Sequence, residues 1–225
     1  MTDNCRLLSG LAPEVGLVLF ESRACLDYGE DDLSPDMATL PLTYHVHLPL
    51  DLPWRAGPNA AFDTVQALVD KTAYLAPWGF VLHPPQTVAE LAAFVRLWVA
   101  RGLDPAALML ENVDDNDLST LLGPSADMGL SLCLDLGHLL AYNQQIPTLA
   151  QDWARMRMLH LYAPGPGARH TPLAGLDDKG KTALRGMLER VRPDTVLMLE
   201  VFETAGLFAS AELLATWMEQ WNLEH

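Results

Sequence analysis

Lysine is scarce in this chain: Lys71, Lys179 and Lys181 are the only three, and 29 acids outnumber 14 bases for a formal net charge of −15. A duplex-binding surface displaces counterions with clustered Lys and Arg, so nucleic acid is not an expected partner. Long apolar runs are also missing. None approaches the roughly 18 residues that span a bilayer, which argues against a membrane protein. Cysteine is limited to Cys5, Cys25 and Cys133, an odd and scattered set with no CxxC spacing. These read as reduced thiols in a cytoplasmic protein. The opening MTDNCRLLSG has neither a basic nor an apolar leader region, so no secretory signal is expected. No Gly-rich phosphate loop follows the first apolar run, which weighs against a doubly wound nucleotide-binding sheet.

What is present is an even spread of apolar residues, 50% of the 225-residue chain. That is enough for one sizeable core. A single domain over residues 1–222 is expected. Leu223-Glu224-His225 reads as the start of a cloned affinity tag, so His225 receives no functional role. Short apolar runs alternate with longer amphipathic stretches. Strands are expected at 15–21, 42–48, 79–83, 107–111, 130–135, 157–162 and 195–201, and helices at 60–76, 87–101, 148–156, 178–191 and 209–221. Thr87-x-x-Glu90 is a capping box for the second of these helices. The strands are apolar almost throughout, as parallel strands covered on both faces must be. The pattern predicts an α/β fold, a (β/α)8 TIM-type barrel with seven strands recognised and the first strand missing or irregular. An open doubly wound sheet is the alternative.

The string LMLE occurs twice, at 108–111 and 197–200, each time ending an apolar run on a carboxylate. Repetition is a weak signal in a Leu-rich chain, but it does not stand alone. Six apolar runs reach His, Asp or Glu near their C-terminal end: His47, His83, Glu111, Asp135, His160 and Glu200. Parallel barrel strands direct those ends into one mouth, and a chain buries so many ionisable groups only where they are paired or bind metal. His138, three residues beyond Asp135, and His170, in a Gly-rich stretch expected to be a flexible loop (165–173), belong beside them. Gly137 is expected to permit a tight turn between Asp135 and His138.

Structural alternatives exist for single residues. His45 or His47 alone reads as a hydrogen-bonded core histidine. His83 before Pro84-Pro85 reads as loop punctuation, and Asp135 as a helix cap. Glu21 and Glu203 read as rim or solvated residues. Phe94 with Trp98, and Trp217 with Trp221, read as helix packing at i,i+4 spacing. It is the joint pattern that favours a site.

In order, HLPLDL, VLHP, LENVDD, CLDLGH, LHLY, ARHTPL and LEVFE resemble the xylose-isomerase-like, endonuclease-IV-type TIM-barrel superfamily over residues 15–203. VGLVLFES, LTYHVHLPLDL and LCLDLGHLLAY look most like its cobamide-remodelling hydrolases. The resemblance implies a metal cluster of two or three ions, Zn²⁺ or Mn²⁺. His47, His83 and Glu111 would hold one ion; Glu111 would bridge to a second held by Asp135, His160 and Glu200; His138 and His170 would hold a third. Ala168 occupies a position where the family carries an Asp ligand. The group's strand matching VGLVLFES is preceded by another strand and helix, in keeping with a missing first strand. The implied reaction is hydrolysis of a phosphodiester in a cobamide nucleotide loop. Glu111, Asp135 and Glu200 would be at the chemistry and Arg169 would stabilise developing charge. His45, Glu21, Tyr162 and Glu203 are candidate substrate contacts. A sugar or sugar-phosphate isomerase or epimerase is the alternative, needing two Glu, one Asp and one His: Glu111, Glu200, Asp135 and His160. Further alternatives are a DNA-repair endonuclease, disfavoured by charge, and a corrinoid- or metal-binding protein without turnover. A small molecule, corrinoid or sugar, is the expected partner.

Overall fold

The computed structural model describes residues 1–167 and 169–223. Ala168, and Glu224 and His225 of the expected tag remnant, lie outside the described residues. The chain divides into two compact units, Met1–Leu110 with Gly123–Leu130, and Glu111–Leu122 with Ser131–His225.

The first unit carries strands β1 (Glu14–Val18), β2 (Thr43–His47) and β3 (Phe80–Leu82), and all of β4 (Leu108–Glu111) but its last residue. Each pairs with the next in parallel: Val18 lies opposite His47, His47 opposite Val81, and Leu82 opposite Leu110. The helix Pro58–Thr72 starts at Pro58 behind Gly57, whose φ is 99°. That backbone conformation suits glycine, and a proline in the first turn loses no helical hydrogen bond. Ala61, Phe62, Val65, Leu68, Val69 and Thr72 recur at helical spacing and form its buried face. The helix Val88–Ala100 opens as expected, with a capping box. Thr87 Oγ1 accepts from the Glu90 N–H at 3.2 Å and donates to Glu90 Oε2 at 2.7 Å. Its inner face buries Leu91, Phe94, Val95 and Trp98, the two aromatic rings stacked 6.4 Å apart. Burial of each large apolar side chain contributes about 1.5–3 kcal/mol.

The second unit carries parallel strands β5 (Ser131–Asp135), β6 (Met156–Leu161) and β9 (Val196–Leu199), paired β5–β6–β9. Between them β7 (Ala163–Pro164) and β8 (His170–Thr171) form a short antiparallel pair. Within the stretch 165–173, expected as a flexible loop, His170 and Thr171 therefore belong to a hairpin strand. The Gly165 N–H donates to Arg169 C=O at 2.8 Å, and Thr171 Oγ1 donates to Ala163 C=O at 2.7 Å. Two-residue strands are too short to display a period-2 pattern, which is why the sequence conceals them. The helix Leu136–Ala141, indicated in the sequence only by the reading of Asp135 as a cap, begins immediately after β5. Gly137 lies inside it rather than in a tight turn. Helices Asp178–Leu188 and Thr204–Gln220 are capped by the carboxylates of Asp177 and Glu203.

Along the chain, seven parallel strands alternate with helices, the α/β order of a TIM-type barrel. No helix among the described residues is long and apolar enough to cross a membrane. All three cysteines are buried outside disulfides.

Candidate metal centre

The second unit gathers Glu111, Asp135, His160 and Glu200 at the C-terminal ends of its strands. Parallel registration sets Asp135 opposite His160. The Glu200 N–H extends the ladder by donating to Leu161 C=O at 3.2 Å, which brings the residue after β9 to the same level. His160 Nδ1 then lies 3.0 Å from Glu111 Oε1, 3.3 Å from Glu200 Oε1 and 3.8 Å from Asp135 Oδ2. Glu111 is 1% exposed, Asp135 and His160 are fully enclosed, and Glu200 is 7% exposed.

Three carboxylates thus crowd one imidazole out of water, an arrangement that is unfavourable while all are ionised. Burial, then the charges of Glu111 and Glu200, push the Asp135 carboxyl well above the usual carboxylate range. Burial, then the charges of Asp135, Glu200 and Glu111, also raises the Tyr162 phenol. Asp135 Oδ2 is buried with no hydrogen-bond partner among the described residues. A buried oxygen needing a partner, surrounded by further carboxylate and imidazole donors, fits a divalent cation. Two triplets in this unit have ligand atoms within 4.8 Å of one another: Glu111, Asp135 and His138, and Asp135, His160 and Glu200. Mixed nitrogen and oxygen donors suit Zn²⁺ or Mn²⁺.

His138 and His170 flank this quartet. His138 Nδ1 is 3.8 Å from both Glu111 Oε1 and Asp135 Oδ2, and 2.8 Å from the Asn112 carbonyl. Asp135 does cap the following helix: its Oδ1 accepts the His138 N–H at 2.6 Å. The capping and site readings of Asp135 are therefore compatible, one oxygen serving each. His170 Nδ1 is 3.1 Å from the Glu200 carbonyl and 3.4 Å from Glu200 Oε2. Burial lowers the pKa of His170, with Glu200 opposing. Its ring stacks on Tyr162, centroids 3.7 Å apart at 5°. Tyr162 in turn lies over Gly137, where an added Cβ would sit 2.0 Å from the phenol ring. Gly137 is thus required for a close approach, not for turning.

In the first unit, buried His47 and half-buried His83 form an edge-to-face pair with centroids 5.1 Å apart. His47 Nδ1 lies 2.9 Å from the carbonyl of the adjoining Leu48. His45 packs away from that pair, with Nδ1 2.6 Å from Glu14 Oε1 and its ring against Trp78. Glu21 is exposed at the start of the helix Ser22–Leu26. Glu203 uses both oxygens as a cap, accepting from the Ala205 and Gly206 N–H groups at 2.9 and 2.6 Å. Arg169 is exposed, and its Nε donates to Pro166 C=O at 3.2 Å. Of the two aromatic pairs expected as packing, Phe94 and Trp98 are buried, whereas the stacked Trp217 and Trp221 are half-buried.

Asn112 and Gln144 were not among the sequence candidates. Asn112 is 2% exposed and hydrogen-bonds both backbone groups of Asp135. The available signal was its position, directly after the strand-ending Glu111.

Neither a protein-family profile nor a curated protein sequence matches the chain. Solved structures do. A xylose isomerase domain protein from Planctomyces limnophilus superposes with a TM-score of 0.62 at 14% identity, covering 97% of this chain and 92% of that one. A sugar phosphate isomerase/epimerase from Parabacteroides distasonis gives 0.59 at 10% identity, covering 93% and 88%. The 3-keto-D-glucoside 4-epimerase YcjR from E. coli gives 0.54 at 13%, covering 89% and 87%. The likeness is one of fold. It supports the TIM-type barrel, and none of the three is named as a cobamide-remodelling hydrolase.

Proposed function

We infer that the chain is a divalent-metal enzyme acting on a small molecule, and that the reaction is isomerisation or epimerisation of a sugar or sugar phosphate. One observation carries this: Glu111, Asp135, His160 and Glu200 form a compact buried set of three carboxylates about one imidazole. That is the complement an isomerase of this type needs. The neighbouring structures, an isomerase domain protein and two epimerases by name, support the same reading.

A bound cation would offset the charge that develops on substrate oxygens as a proton leaves the carbon beside a carbonyl. Glu111, Asp135, His160 and Glu200 would hold it. Glu111 and Glu200 approach the same His160 nitrogen, at 3.0 and 3.3 Å. One would take the proton and the other return it, to the opposite face in an epimerase or, in an isomerase, to the adjacent carbon while the hydroxyl proton passes to the former carbonyl oxygen. Incubation of metal-loaded protein with ketose and aldose panels in D2O, read by NMR, tests this. Deuterium entering beside the carbonyl is expected, and its absence across the panel overturns the reading.

A second reading, metal-assisted phosphodiester hydrolysis with a cobamide as substrate, is favoured by the histidines beyond the quartet. His138 lies 3.8 Å from Asp135, His170 lies 3.4 Å from Glu200, and His47 and His83 pair in the other unit. An isomerase needs none of them. Elemental analysis separates the two: about one ion per chain favours the isomerase, two or three favour the hydrolase. Release of a nucleoside from adenosylcobalamin, followed by chromatography, is the corresponding activity assay.

A further inference from the structure

We propose that Asn112, braced by Gln144, is the positioning residue of the metal centre, holding Asp135 and His138 in ligand-ready geometry. The inference rests on the reading of those two residues as ligands. The Asn112 carboxamide behaves as a substitute peptide group alongside β5. Its Nδ2 donates to the Asp135 C=O at 3.1 Å, and its Oδ1 accepts the Asp135 N–H at 2.7 Å. The same Nδ2 donates to Gln144 Oε1 at 2.8 Å, while Gln144 Nε2 donates to Val113 C=O at 2.6 Å. The brace therefore returns to the backbone one residue after Asn112, and the carboxamide cannot rotate without breaking bonds at both ends.

The main chain of Asn112 performs a separate task. Its carbonyl lies 2.8 Å from His138 Nδ1. A carbonyl only accepts, so Nδ1 donates to it, and this bond fixes the orientation of the ring beside Glu111 and Asp135. Asp135 meanwhile gives Oδ1 to the His138 N–H and leaves Oδ2 without a hydrogen-bond partner among the described residues. A single residue thus orients one carboxylate through its side chain and one imidazole through its backbone. Gln144 lies just beyond the helix Leu136–Ala141 that carries His138, so the brace ties both ends of that helix to the strand-end loop.

Cobalt(II) serves as the probe, because its visible absorption reports ligand geometry as well as binding. Wild-type protein, Asn112→Ala and Gln144→Ala are stripped, checked for folding by circular dichroism, and titrated with Co²⁺. Asn112→Ala is expected to bind about 10- to 100-fold more weakly with an altered visible spectrum. Gln144→Ala, which leaves β5 untouched, is expected to change both in the same direction by less. If wild-type protein binds no Co²⁺, the metal reading itself fails. If wild-type protein binds but the folded variants match it in affinity and spectrum, with only a lower melting temperature, Asn112 is structural and the proposal is overturned.

Discussion

Two clusters of acid and imidazole, one part-buried and one buried, can be compared among the described residues, and their balance of donors differs. In the first unit, Glu14 faces His45 Nδ1 at 2.6 Å and Trp78 Nε1 at 2.9 Å, two donors converging on one carboxylate oxygen. In the second, Glu111, Asp135 and Glu200 converge on one His160 nitrogen, and Asp135 Oδ2 has no hydrogen-bond partner among the described residues. Where donors match acceptors, a buried acid closes a structural network. Where acceptors exceed donors, the balance must come from a proton or a cation. Residue type does not separate the two cases; the donor count does.

The largest expected effect breaks the second cluster chemically. Glu200→Gln should lower proton-exchange activity by about 10²- to 10⁴-fold, the range for loss of a general acid or base, measured as deuterium incorporation. Asp135→Asn should remove metal retained through dialysis, read by elemental analysis, whereas Glu14→Gln should leave metal content unchanged. Equal metal loss in both variants would erase the distinction between the clusters. Glu14→Gln should instead lower stability by about 1–3 kcal/mol in urea unfolding, by leaving His45 or Trp78 poorly paired.

The comparison also has a pH signature. The folded carboxyl of Asp135 is raised above its unfolded value, so its contribution to metal-free stability is present at low pH. That contribution is lost as pH rises from the ordinary carboxylate range through the raised pKa. A cation takes over the proton's role, so the gain in melting temperature on adding Zn²⁺ or Mn²⁺, relative to chelator, should be larger at pH 8 than at pH 5. A gain independent of pH would contradict the origin given for the Asp135 shift. A smaller effect is expected at Gly137→Ala, where the new methyl meets the Tyr162 ring: about 1–3 kcal/mol, with displacement of His170 seen as a changed cobalt spectrum. The smallest is Thr87→Ala in the capping box, about 1 kcal/mol with no change in metal content.

Much of this was legible in residue order. Glu111 and Asp135 end β4 and β5 as the apolar runs LML and LCL indicate, and Thr87 caps its helix through the spaced Glu90. Strand ends were expected to within a few residues, the largest difference falling at the first, where β1 stops at Val18 rather than 21. Asn112 and Gln144 were hidden because their value lies in hydrogen bonds that span long stretches of chain, for which no local pattern exists. The hairpin of β7 and β8 was hidden by its shortness, and the role of Gly137 by its dependence on the Tyr162 ring, which arrives from a different strand. His45 and His47 illustrate the limit most simply. Both on one strand and facing the same way in any pattern, they still part company: His45 meets Glu14 while His47 meets His83.

The sequence by itself therefore determined the alternation of parallel strands with helices, and the ionisable residues at their ends, because apolar periodicity and caps are local properties of the chain. Tertiary structure alone decided which of those residues share a cluster, which backbone carbonyl orients a histidine ring, and which carboxylate oxygen has no hydrogen-bond partner among the described residues. Those outcomes depend on distances between segments far apart in the chain and on the removal of water from around them.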